Sequence, residues 1–66
     1  MSKKVNALER IDKLILDLGI LESLLMRDVD LDDYNDYLDS DMYEAKDYLE
    51  SVKHSILNIV DFKEGL

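Results

Sequence analysis

Five aspartates raise the first chemical possibility. Asp28, Asp30 and Asp32 stand at alternate positions, and Asp36 and Asp39 fall at the ninth and twelfth places counted from Asp28. A calcium loop between two helices offers its oxygens at this spacing. The departures are large. The sixth place holds Asp33 instead of the glycine that permits the sharp turn, the eighth holds Asn35, and the twelfth holds Asp39, shorter than the usual bidentate Glu. A helix start rich in Asp, favoured by the helix dipole, accounts for the same residues. Ca²⁺ binding by a helix–loop–helix is therefore kept as an alternative, and no metal or other cofactor is expected.

Catalysis finds less to work with. His54 is the single histidine, and Ser51 and Ser55 are its near neighbours. Neighbours on one helix, without a pocket or oxyanion donors, make no nucleophilic site. Paired carboxylates do acid–base work only in a shaped cleft. No glycine-rich phosphate loop occurs. The expectation is a protein that is not an enzyme and has no catalytic residues.

A row of carboxylates is more suggestive. With Ala45 at the centre of a buried side, Asp36, Asp39, Asp47, Glu50 and Asp61 point away from it, and Tyr43 and His54 share their face. Carboxylates three or four residues apart on a helix lie ~5–6 Å from one another. That is close to the phosphate spacing of a nucleic-acid strand, so the row can imitate a backbone in a basic groove. Lys46 is the only base between Asp28 and Glu50, whereas an ordinary solvated helix mixes its signs. Tyr34, Tyr37, Tyr43 and Tyr48 crowd the same stretch. Tyr34 and Tyr48 suit a core edge with hydroxyls in water. Tyr37 and Tyr43 suit an exposed surface, where Tyr often anchors an interface. The expected partner-binding residues are Asp36, Asp39, Tyr43, Asp47 and Glu50.

Two amphipathic helices must carry these groups. In the first, of about residues 6–27, Ala7, Ile11, Leu14, Leu18, Leu21 and Leu25 alternate by four and three, with Leu8, Ile15 and Met26 widening the stripe. Asn6 and Glu9 have capping-box spacing, although Ser2 is an equal candidate for the start. A turn at 28–30 leads to a second helix over about 31–62, with Asp30 as N-cap and Val29 and Tyr34 placed for a hydrophobic staple. Its stripe is Leu38, Met42, Ala45, Leu49, Val52, Ile56 and Ile59. So short a connection makes the pair antiparallel. The expected spans are ~33 Å and ~48 Å. The longer second helix overhangs, and its end either packs on a second subunit or breaks into a short third helix.

The first helix carries a second apolar strip, Leu16, Ile20 and Leu24, on the side away from its main stripe. A helix buried on two sides needs two neighbours, and a second copy is the simplest supply. Leu16, Ile20 and Leu24 are thus the expected dimer interface. Gly19, beside the core stripe, either permits a close approach or is a weak point costing ~1 kcal/mol relative to Ala. Asp41 faces the apolar side, where it sets register, pairs with Arg27 or Lys4 of a neighbour, or reaches solvent. The fold class is all-α, a single helical-hairpin domain over 1–66 that pairs into a four-helix bundle.

Composition bounds the function. The chain has 66 residues, no cysteine and no proline, and a net charge of −8. Residues 1–27 are net +1, and residues 28–66 are net −9. Phosphate binding needs clustered Lys and Arg, so neither direct nucleic-acid binding nor anionic-membrane binding is expected. No apolar run approaches the ~20 residues of a membrane span, the N-terminal stretch is unlike a secretory signal, and a cytoplasmic location is the default. Length, hairpin layout and Asp-rich turn resemble the small plasmid copy-control proteins that form a dimeric four-helix bundle. Those bind RNA through basic and polar residues of helix 1. Here Lys4, Lys13 and Arg27 stand there with Leu16, Ile20 and Leu24 among them, which argues against RNA. The expected function is a small acidic regulator or inhibitor that docks on a basic surface of another protein, in the manner of phage or mobile-element mimics of nucleic acid. The alternative is a structural oligomerisation or assembly module.

Overall fold

The first helix begins at Ser2. In the computed structural model, which describes residues 2–60, 62 and 63, the Ser2 hydroxyl accepts from the Val5 N–H at 3.1 Å and caps α1, Lys3–Asp28. The start at residue 6 is therefore corrected: the serine satisfies one of the free N–H groups of the first turn, and Asn6 becomes an interior residue. At the other end the Val29 N–H donates to the Leu25 carbonyl at 2.9 Å.

Asp30 takes the N-cap position of the second arm in extended geometry, as its place before Leu31 predicts, but its side chain makes no capping bond. This arm is α2, Leu31–Asp33, then a π turn, Tyr34–Leu38, then α3, Asp39–Asn58. In the π turn the Asp39 N–H donates five residues back to Tyr34. A four-three periodicity does not show this turn, and the spacing explains it. Tyr34, Leu38 and Met42 are four apart, and in an α-helix each such step drifts about 40° round the axis at 3.6 residues per turn. A π turn rotates less per residue and removes one step of drift. Tyr34, at 2% exposure, and Met42 are consequently both buried.

α3 ends at Asn58 and not near 62. Ile59 is extended, and the β-branched pair Ile59–Val60 is a poor continuation of a helix. Lys4 helps fix this stop: its Nζ donates to the carbonyls of Leu57 and Ile59 at 2.9 and 2.8 Å, groups a helix end leaves unpaired. Asp61, expected on the outer face, lies outside the described residues.

α1 packs along α3 as an antiparallel hairpin measuring 51 × 17 × 13 Å. Its radius of gyration is 15.5 Å, against about 11 Å for a rounded domain of this length. Such a shape has little interior. Among the described residues only Ile11, Tyr34 and Met42 are buried hydrophobics. The seam follows Ile11, Ile15, Leu18, Glu22 and Leu25 on α1, and Met42, Lys46, Leu49, Lys53 and Ile56 on α3. This corrects the expected stripes. Leu14 (53% exposed), Leu21, Val52 (45%) and Ile59 lie open instead of buried. A single neighbour covers only part of a wide stripe, and here it covers the part nearest the ion pairs.

Candidate functional site

Those ion pairs mark one edge of the seam. Lys46 Nζ meets Glu22 Oε1 at 2.5 Å, and Lys53 Nζ meets Asp12 Oδ1 at 2.7 Å. The partly buried Glu22–Lys46 pair lies beside Tyr34. Burial pushes the Tyr34 phenol above its usual pKa, and the charges of Glu22 and Asp39 and a hydrogen bond to Glu22 push the same way, with Lys46 opposing. Lys53 is likewise held above its usual value, first by its hydrogen bond to Asp12 and then by that carboxylate's charge. This tied edge was not read from the sequence. The signal available was Glu22 lying within an otherwise apolar run and Lys46 falling where the second helix should be acidic.

The expected binding row sits beside it. Asp39, Tyr43, Asp47 and Glu50 are all exposed. At 100° per residue they span about 80° of α3, on the flank where Lys46 and Lys53 reach across. Asp36 is exposed in the π turn just before them. The row therefore lies on a flank and not on the back of the hairpin, because the seam centre runs through Met42, Lys46 and Leu49 in place of Ala45. Among the described residues, none of these four carboxylates is in an ion pair. The two lysines of α3 are engaged by Glu22 and Asp12 of α1, so the flank keeps a negative field. Tyr43 stands out from it at 73% exposure, and Tyr37 is exposed in the π turn. Such a surface can present carboxylates and phenols to Lys and Arg.

Tyr48 is exposed too, which corrects its place at a core edge. It falls on the opposite edge of the seam, beyond the reach of α1. Leu16, Ile20 and Leu24 are exposed on α1, as a strip facing away from the hairpin core should be. With Ile15, Gly19, Ser23 and Arg27 they line an open groove of ≈ 730 Å³. A Cβ on Gly19 would meet nothing within 4 Å, so no close approach within the chain requires this glycine.

The calcium spacing meets a different geometry. Asp32, Asp36 and Asp39 lie in helical turns, and only Val29 and Asp30 separate α1 from α2. Among the described residues no group of three His, Cys, Asp or Glu is gathered for a metal ion. Asp28 lies with Arg27, whose Nε and Nη2 donate to its carboxylate at 2.9 and 3.2 Å. Arg27 and Lys4, weighed as partners for Asp41, are thus both engaged within their own chain.

Among the described residues no helix is long and apolar enough to cross a membrane. No protein-family model matches the chain, and no curated protein or solved structure matches it either.

Proposed function

We propose that this chain is a non-enzymatic protein-binding module. It pairs with a second copy into a four-helix bundle and presents its acidic flank to a basic surface of another protein. The observation that carries this reading is the separation of two surfaces: carboxylates with exposed Tyr43 on the tied flank, and exposed leucine, valine and isoleucine elsewhere. A small domain with so few buried side chains normally gains stability by oligomerising. The partner class that fits the flank is a basic protein such as a nucleic-acid-binding enzyme, and blocking it is the corresponding activity. A cytoplasmic setting suits such a target.

The test compares the chain with its quadruple variant Asp36→Lys, Asp39→Lys, Asp47→Lys, Glu50→Lys. Proteins captured from lysate by the wild type should be lost by the variant, released by salt and displaced by DNA or RNA. Equal capture by both, with equal helicity, refutes the acidic flank. Self-association alone, with no captured protein, leaves the assembly-module alternative, which the open apolar groove of α1 favours.

A further inference from the structure

Residues 31–38 have a choice of register. Tyr34 is the one buried residue among them, at 2% exposure, while Leu31 stands 65% exposed and Asn35 is exposed. A four-three spacing counted back from Met42 and Leu38 points to other residues. An unbroken α-helix places Leu31 and Asn35 each within about 20° of Met42, and Tyr34 about 80° away from it. The π turn, Tyr34–Leu38, reverses this selection. Its smaller rotation per residue brings Tyr34 into the seam and turns Leu31 and Asn35 out of it.

We infer that this segment is a two-register switch, in which Tyr34 and Leu31 exchange places in the seam as the π turn becomes α-helix. Each register has one advantage and one cost. The π register buries the Tyr34 phenol beside the Glu22–Lys46 pair. It does so with hydrogen bonds that span five residues, a geometry that is rare and concentrated at functional sites. The α register restores the four-residue bonds and buries Leu31. It also turns the Asn35 amide toward the seam, where an unpaired polar group is costly. Asn35 thus holds the balance. The connection leaves the rotation free: Val29 and Asp30 are extended, with ψ of 142° and 139°, and the Asp30 side chain makes no capping bond that the rotation would break. The exchange changes the surface as well. Eighteen residues make five full α-helical turns, so the α register sets Tyr34 in line with exposed Val52, and Asp32 in line with exposed Glu50. The carboxylate flank is then longer by one residue. The switch itself does not depend on that flank's proposed use.

Asn35→Leu tests this, because it removes the cost of the α register while residue 35 is exposed in the π register. Two probes read the two exchanging positions. The nitration rate of Tyr34 with tetranitromethane, resolved from the other tyrosines by peptide mapping, reads its exposure. The alkylation rate of Leu31→Cys with iodoacetamide reads the other position, in a chain with no cysteine of its own. On adding Asn35→Leu, nitration of Tyr34 should rise about tenfold or more and alkylation at position 31 should fall about tenfold or more, as a minor register becomes the major one. Helical circular dichroism equal to that of the wild type controls for unfolding. Any outcome short of this reciprocal change overturns the switch: neither rate moving leaves a single register, and both rising means that the segment detaches. In the wild-type chain, relaxation dispersion should show exchange centred on residues 31–38. Leu31→Asp, which disfavours the α register, should abolish it. Exchange absent from the wild type, or retained in Leu31→Asp, overturns a switch in the native sequence.

Discussion

At the scale of residues, Tyr34 is the most constrained side chain. It is buried, and its phenol is held protonated by burial, by Glu22 and by Asp39. A raised pKa in the folded state means that its stabilisation is complete below the ordinary phenol value, about 10, and fades as pH climbs through the folded value. Lys53, also raised, acts in the same direction. Thermal midpoints should hold steady from neutral pH to about 9 and fall above about 10. Tyr34→Phe should remove the latest-rising part of the tyrosinate absorbance. A variant whose absorbance titration matches the wild type would contradict this environment. Gly19 gives a second test. Its Cβ position is empty and helical, so Gly19→Ala should stabilise by about 1 kcal/mol in urea unfolding and leave dimerisation unchanged. Destabilisation would mean that another chain fills the groove.

At the scale of elements, both helices, the short connection and the start after Asp30 were legible in periodicity and capping chemistry. What remained hidden has physical causes. Ser2 and Asn6 offer comparable caps, and only tertiary context chooses between them. The π turn follows from a four-four spacing that a four-three count cannot separate from a widened stripe. The tied edge joins residues far apart in sequence, and its lysines look like solvated charges until the partner helix is placed. The exposed row Asp39, Tyr43, Asp47 and Glu50 was legible because exposure follows directly from the period, whereas its place on a flank depended on where the seam ran. Two changes probe the ends. Ser2→Ala should cost about 1 kcal/mol through the lost cap. Lys4→Met should free the carbonyls of Leu57 and Ile59 and fray the end of α3, seen as faster amide exchange near Ser55 and Ile56. Unchanged exchange there would show that α3 stops without help from α1.

At the scale of the molecule, the hairpin is a long, thin pair of helices with little interior. Its two edges differ. One is closed by ion pairs and flanked by carboxylates, and the other is open and apolar. On the proposed function, docking through an acidic flank would be strongly salt-dependent and an apolar contact between copies would not, because screening weakens exposed charges and leaves apolar burial in place. Raising salt should therefore strip a basic partner from the dimer before it separates the copies. Loss of both together would place charge at the centre of the dimer contact. The most direct measurement is sedimentation equilibrium of the wild-type chain across the micromolar range. The account predicts twice the chain mass, retained at high salt. A single-chain mass throughout would contradict it.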